Sequence, residues 1–198
     1  MTSAPAFSIC VYCGSRPGEK PIYAEMAQLV GTWIGQHGSQ LVYGGGRTGL
    51  MGLVAQATKD AGGRVVGVIP QALVDKELAN QGCDELHIVT NMHERKAMMA
   101  ERSNAFLALP GGIGTFEELF EVWTWRQLGY HDKPIGMLNV DNYYSDLLRF
   151  LASTVSNGFM GAWQMDLIKA SDNAKELLAF LVQSAGTSPD GKDLREVA

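Results

Sequence analysis

The feature that most constrains the fold of this 198-residue chain is a regular alternation of short apolar runs with longer segments of helical spacing. The apolar runs predict strands at 7–13, 40–43, 64–69, 85–89, 105–109, 134–139 and 167–169. Apolar side chains at helical spacing predict helices at 21–37, 49–61, 91–103, 115–128, 143–155 and 174–184. Such alternation is typical of a parallel sheet covered by helices on both faces. We therefore predict a single α/β domain with a doubly wound parallel sheet over residues 1–184, and a flexible C-terminal tail over residues 185–198.

The charge and hydropathy of the sequence argue against nucleic acids and membranes as binding partners. The net charge of −5 argues against binding to nucleic acid or to an anionic membrane surface. No apolar run approaches the ~18 residues that a membrane span requires. The first apolar run is not preceded by a basic leader segment, so we predict a cytoplasmic protein.

Cysteines and histidines do not suggest a metal or redox site. Alternation along a strand places Cys10 and Cys13 on opposite faces of the sheet, and no second pair of ligands follows them. The histidines show no spacing typical of metal ligands. We therefore predict that the protein uses no metal and no cofactor.

The most informative motif is PGGIGTFEE, which spans Pro110 to Glu118 at the junction of a predicted strand and a predicted helix. Such a junction directs unpaired backbone N–H groups and the positive end of the helix dipole toward one place, which favours binding of an anion. The glycines allow a ligand to approach the backbone closely. Because Glu118 lies one turn into the helix, the motif indicates chemistry on a phosphorylated small molecule.

The same motif has a purely structural interpretation. Thr115 and Glu118 fit the spacing of a capping box, in which each side chain hydrogen-bonds the backbone at the start of a helix. The motif alone leaves capping and catalysis equally open.

Two further glycine loops follow predicted strands, at Gly14-Ser15 and at 44–46. Loops at the carboxyl ends of parallel strands meet where the strand order reverses. Gly44, Gly46 and Gly49 match the dinucleotide fingerprint, but they follow the second strand and the expected acidic residue after the next strand is missing. The loops therefore favour a mononucleotide phosphate over a dinucleotide.

Arg95 and Lys96 lie at the start of a predicted helix, where positive charge opposes the helix dipole. This position is unexpected for a cation unless an anionic partner is close. The alternative is that both residues belong to a solvated charged face with Glu94 and Glu101. The composition of the segment does not exclude either interpretation.

The PGGIGTFEE motif resembles the PGGxGTxxE signature of the LONELY GUY (LOG) family, which are cytokinin riboside 5′-monophosphate phosphoribohydrolases. Further blocks are similar to the family in the same order: CGS at 13–15, GGG at 44–46, GLMG at 49–52, MHERK at 92–96 and TWRQLGYHDKP at 124–134. Many family members carry the label lysine decarboxylase, yet nothing in this sequence indicates pyridoxal phosphate chemistry.

The resemblance implies a Rossmann-like enzyme that hydrolyses the N-glycosidic bond of an N6-modified adenosine 5′-monophosphate and releases the base and ribose 5-phosphate. It implies Arg95 and Glu118 as the catalytic pair. The substrate-binding residues that it implies are Ser15, Gly45, Gly46, Glu77, Lys96, Gly111, Gly112, Ile113, Gly114, Thr115, Phe116, Glu117 and Thr124. A non-catalytic carrier of a nucleotide or of molybdenum cofactor, and a dinucleotide-dependent oxidoreductase, are the alternatives.

The resemblance also implies a homodimer. Large apolar side chains support it, because aromatic residues and Met are enriched at interfaces. These residues are Trp123, Trp125, Trp163, Met92, Met98 and Met99. The same side chains would serve equally well in a monomer core.

Overall fold

The structure, a computed structural model, describes residues 7–76 and 78–186, and its central feature is one parallel sheet. Seven strands of the described ranges form it in the order β4-β3-β2-β1-β5-β6-β7. Each strand is parallel to its neighbours. The strands are β1 Ser8–Tyr12, β2 Gln40–Tyr43, β3 Arg64–Pro70, β4 Glu85–Val89, β5 Ala105–Ala108, β6 Ile135–Leu138 and β7 Ile168–Ser171. The predicted doubly wound parallel sheet is confirmed.

The helices of the described residues follow the predicted pattern. They are α1 Pro21–Gln36, α2 Gly49–Asp60, α3 Gln71–Val74, α4 Met92–Glu101, α5 Ile113–Gln127, α6 Ser145–Ser156, α7 Ala162–Met165 and α8 Ala174–Gly186. The sequence did not predict α3 and α7, because four residues are too few to show a helical period. Helix α8 continues past the predicted boundary at residue 184 to Gly186, and residues 187–198 of the predicted tail lie outside the described residues.

Two apolar cores cover the two faces of the sheet. Side chains of α1, α2 and α8 pack on one face, and side chains of α4, α5 and α6 pack on the other. Cys10 and Cys13 belong to different cores, as strand alternation predicts. Both thiols are buried and free.

The strand order creates a crevice at the centre of the sheet. The chain leaves β1 through β2 and β3 to β4, then returns through α4 to β5 on the other side of β1. The loops that follow β1 and β5 therefore lead into helices on opposite faces and leave room between them, which is where open α/β sheets bind ligands. None of the helices in the described ranges combines the length and hydropathy needed to cross a bilayer.

Candidate active site

A cavity of about 740 Å³ opens at the carboxyl ends of the central strands. Its walls come from the loops and helix starts that follow β1, β2, β3 and β5, together with Arg95 of α4 and one residue after β6. Among the described residues that line it, the charged side chains are Arg16, Arg95 and Glu118. The rest of the lining is glycine, small polar residues and apolar side chains.

The PGG segment brings the start of α5 to this cavity. Helix α5 begins at Ile113 with Gly112 as its N-cap residue, and no side chain caps it. Gly112, Ile113 and Gly114 are exposed and line the cavity, so N–H groups that have no partner within the helix are available to a ligand. A glycine is required at position 111, because a Cβ atom there would lie 2.1 Å from Oγ1 of Thr115 and 2.8 Å from the backbone nitrogen of Gly14.

The capping-box interpretation of Thr115 and Glu118 is wrong. The N-cap residue is Gly112, so Thr115 lies within the first turn of α5 and Glu118 lies beyond it. The Glu118 side chain forms an ion pair with Arg95 instead of reaching back to the start of the helix. Capping of the helix therefore does not explain the presence of Glu118.

Arg95 and Glu118 form a buried ion pair at the base of the cavity. Nη1 of Arg95 lies 3.1 Å from Oε1 of Glu118, and each side chain is only 10% exposed. Arg95 is held in place because its Nε donates to the carbonyl of Val68 at 3.1 Å and its Nη2 donates to the carbonyl of Gly44 at 3.3 Å. Burial raises the pKa of the Glu118 carboxyl from 4.5 to about 7, although the charge of Arg95 opposes that shift. A carboxyl group with this pKa can accept or donate a proton near neutral pH.

The glycine loop after β2 has a packing explanation that does not involve a dinucleotide. A Cβ atom on Gly44 would lie 1.8 Å from Nη2 of Arg95, so this glycine leaves the space that the guanidinium occupies. Gly49 has a φ of +59°, and a Cβ atom there would lie 2.4 Å from the backbone nitrogen of Arg16. Two glycines of the fingerprint are therefore explained by the space that Arg95 and the backbone of Arg16 occupy.

Lys96 is buried on the flank of α5, away from the cavity. Its ammonium group binds Glu117 and also lies 3.0 Å from Oε1 of Glu121. Glu94 instead accepts a hydrogen bond from the N–H of Thr90 at the start of α4. The solvated charged face is therefore wrong for Arg95 and Lys96, which both have the anionic partners that their positions required.

The structure brings only part of the predicted substrate-binding set to the cavity. The residues that line it are Ser15, Gly46, Gly111, Gly112, Ile113, Gly114 and Thr115, together with the predicted catalytic pair. Residues that do not line it are Gly45, Lys96, Phe116, Glu117 and Thr124. Glu77 lies outside the described residues.

Local packing explains these differences. Gly45 has a φ of +72°, and a Cβ atom there would lie 3.1 Å from Cβ of Ile69 and 3.4 Å from the backbone nitrogen of Val68. Phe116 packs edge-to-face on the ring of Tyr144. The hydroxyl of Thr124 donates to the carbonyl of Phe120 at 2.7 Å, within its own helix.

Sequence reasoning missed several residues of the cavity wall. Tyr143, which follows β6, lines the cavity, and its hydroxyl donates to the carbonyl of Gly111. Tyr144 next to it donates to the carbonyl of Leu109 at 2.6 Å. Arg16 lines the cavity from the loop after β1. The strand order places these loops together, because β1 and β6 lie on either side of β5.

Solved structures of other proteins share the fold of this chain. The molybdenum cofactor carrier protein from Chlamydomonas reinhardtii has a TM-score of 0.69 at 22% identity, covering 90% of this chain and 97% of that chain. The molybdenum cofactor binding protein from Rippkaea orientalis has a TM-score of 0.69 at 20% identity, covering 94% and 100% of the two chains. These likenesses establish a Rossmann-like α/β fold.

Sequence comparisons identify the family. The family model described as "Possible lysine decarboxylase" matches residues 51–181. Cytokinin riboside 5′-monophosphate phosphoribohydrolase LOG3 of Arabidopsis thaliana is 49% identical over 177 residues, which are 89% of this chain and 82% of that relative. LOG4 of the same plant is 51% identical over 173 residues, covering 87% and 80% of the two chains. A probable LOG4 of Oryza sativa subsp. japonica is 46% identical over 181 residues, covering 91% and 79%. The chain belongs to the LOG family, which confirms the resemblance drawn from its motifs.

The raised pKa of Glu118 predicts a pH-dependent stability. The folded protein binds the Glu118 proton more tightly than the unfolded chain does, so this carboxyl stabilises the fold most below pH 4.5 and the benefit is lost as the pH rises through about 7. Relative to the variant Glu118→Gln, the parent should lose on the order of 1–3 kcal/mol of unfolding free energy between about pH 5 and about pH 8.

Urea denaturation of both proteins at the two pH values measures this difference. Every other titrating group is shared by the parent and the variant, so its contribution cancels. A difference in unfolding free energy that stays constant from low to high pH would show that Glu118 has an ordinary pKa.

Proposed function

We propose that this protein hydrolyses the N-glycosidic bond of N6-modified adenosine 5′-monophosphates, releasing the free base and ribose 5-phosphate. The observation that carries the proposal is the buried pair of Arg95 and Glu118, which shares one cavity with the exposed start of α5. The names of the relatives, which are 46–51% identical, support the same substrate class.

The 5′-phosphate is the natural ligand for the start of α5. Backbone N–H groups at Gly112, Ile113 and Gly114, together with the helix dipole, stabilise a phosphate group there. Because Glu118 follows on the same helix, a bound phosphate holds the attached ribose at a fixed distance from the carboxylate. Fixing the reacting groups in this way lowers the entropic part of the barrier.

Glu118 supplies the chemistry of bond cleavage. As the bond between C1′ and the base nitrogen breaks, its electron pair leaves with the base and positive charge develops on the sugar, as in glycoside hydrolysis. A carboxylate stabilises that charge and accepts a proton from the water that attacks C1′. The base gains one proton as it leaves and Glu118 gives up the proton that it took from water, so the reaction consumes one water molecule and regenerates the carboxylate.

Arg95 positions Glu118 in this scheme. Its guanidinium is fixed by the carbonyls of Val68 and Gly44, so it can hold the carboxylate in one orientation. Its positive charge favours the ionised form of Glu118 against the effect of burial.

The description of the family model raises a different activity, decarboxylation of lysine. Pyridoxal phosphate enzymes hold their cofactor through the amine of a lysine. None of the described residues that line the cavity is a lysine, and Lys96 is paired with Glu117 and Glu121. The cavity thus favours hydrolysis of a nucleotide.

Dependence on the phosphate tests the proposed function. Incubation with AMP, with an N6-substituted adenosine monophosphate and with adenosine, followed by chromatography for the free base, should show cleavage of the nucleotides. The nucleoside should react at least tens-fold less well, because it lacks charge-assisted contacts worth ~1.5–3 kcal/mol each.

Three outcomes would contradict the proposal. Equal turnover of adenosine and AMP would show that the phosphate has no role. Binding of the nucleotide without release of base would indicate a carrier, and NAD(P)H binding would indicate an oxidoreductase.

We also propose that the protein acts as a homodimer in the cytoplasm. Of the six side chains that suggested an interface, Trp123 and Met99 lie in the core, whereas Met92 is 41% exposed. Ile113 at the start of α5 is 86% exposed. These two apolar residues begin α4 and α5, where a second copy would cover their side chains. Free thiols at Cys10, Cys13 and Cys83 fit a reducing compartment.

Light scattering coupled to gel filtration tests the dimer. At micromolar concentration we expect a mass near twice the 21.4 kDa of one chain, because exposed apolar side chains favour burial in an interface. A mass of one chain at that concentration would refute the dimer.

A further inference from the structure

Among the described residues that line the cavity, Arg95 and Glu118 together do not offset the negative charge of a phosphate ligand. The charged side chains in the described lining are Arg16, Arg95 and Glu118. Arg95 and Glu118 form an ion pair with each other, so their charges largely cancel. A phosphate monoester carries up to two negative charges near neutral pH, and the start of α5 supplies only a partial positive charge.

The contacts of Arg95 leave little of its guanidinium for a phosphate. Nε donates to the carbonyl of Val68, Nη2 donates to the carbonyl of Gly44, and Nη1 lies 3.1 Å from the Glu118 carboxylate. Nη1 also lies 3.9 Å from the sulfur of Met92. Turning Arg95 toward a phosphate would therefore break the contacts that hold Glu118.

Arg16 differs from Arg95 because its guanidinium is available to a ligand. Its side chain is exposed on the cavity wall, and no hydrogen bond or ion pair joins it to any other residue in the described ranges. Its backbone is held firmly, because it packs against Gly49 and because the neighbouring Gly14 donates to the carbonyl of Pro110 at 3.0 Å. That last bond joins the Arg16 loop to the loop that leads into α5.

We propose that Arg16 binds the phosphate monoester of the substrate together with the backbone N–H groups at the start of α5, an inference that rests on the function proposed above. The guanidinium of arginine binds phosphate through paired hydrogen bonds. Arg95 then serves Glu118 alone, and binding and catalysis are assigned to different arginines. Arg16 is a binding residue for the phosphate, with no part in breaking the glycosidic bond.

The chain offers a matched control in Arg47. This arginine is also exposed and also follows a central strand, but it does not line the cavity, and its side chain has no hydrogen-bond or ion-pair partner among the described residues. Arg16→Gln and Arg47→Gln therefore remove the same charge from similar surfaces, and only the first removes it from the cavity.

Steady-state release of base from AMP should separate the two variants. We expect Arg16→Gln to raise KM about ten- to a hundredfold with kcat within a few-fold of the parent, which is the range for loss of a charge-assisted contact. Arg16→Lys should recover part of the loss because it restores the charge, and Arg47→Gln should behave like the parent. The KM of the parent should also rise with salt more steeply than the KM of Arg16→Gln.

Calorimetric binding of AMP and of adenosine distinguishes failure of this inference from failure of the proposed function. If the parent binds AMP but releases no base, hydrolysis is wrong, and weaker AMP binding by Arg16→Gln still supports the phosphate contact. An unchanged affinity for AMP in Arg16→Gln would overturn the contact even in an active enzyme. If Arg16→Gln weakens the binding of AMP and of adenosine equally, Arg16 affects binding through the conformation of its loop. That result would also overturn the proposed phosphate contact. If the parent binds neither AMP nor an N6-substituted adenosine monophosphate, both proposals are wrong.

Discussion

The site depends on one interaction, the buried ion pair between Arg95 and Glu118. Transfer of two charged groups out of water is costly, and their mutual attraction offsets that cost only when further hydrogen bonds satisfy the remaining donors and acceptors. The carbonyls of Val68 and Gly44 supply those bonds to Arg95. The pair therefore requires β3, the loop after β2, α4 and α5 to meet at one place, and the strand order of the sheet brings them together.

The same burial gives Glu118 its chemical character. In water this carboxyl would be fully ionised at neutral pH, whereas burial in the cavity brings its pKa to about 7. A proton can then be gained and lost within one catalytic cycle. Ionisation of this buried carboxyl lowers the stability of the fold. Such destabilised groups are concentrated at functional sites in proteins, which agrees with the proposed role of Glu118.

Most of the fold could be predicted from the sequence, because buried strands and amphipathic helices leave periodic patterns that do not depend on long-range contacts. The sequence predicts that α5 starts at Thr115 because this residue resembles a cap, whereas Gly112 in an extended conformation begins the helix earlier. The distinction between Arg95 and Lys96 was missed although it follows from helix geometry. Successive residues on a helix are about 100° apart, so one faces the cavity and the other faces the flank of α5.

The contributions of Arg16 and Tyr143 could not be predicted from local patterns. Both lie in loops, and their place in the cavity follows from which strands are neighbours in the sheet. Gly44 shows the same dependence, because the Arg95 side chain that requires this glycine lies 51 positions further along the chain. The glycine fingerprint could thus be recognised, but its physical reason becomes visible only in three dimensions.

The central claim is that Glu118, positioned by Arg95, performs the cleavage. Base release from AMP by Glu118→Gln tests it most directly, with Glu121→Gln on the same helix but outside the cavity as the control. Glutamine preserves the shape of the side chain, so the variant should fold, yet its turnover should fall by ~10²-fold or more, as for loss of a positioned acid or base. The control should retain the activity of the parent. Turnover by Glu118→Gln within a few-fold of the parent would contradict the account.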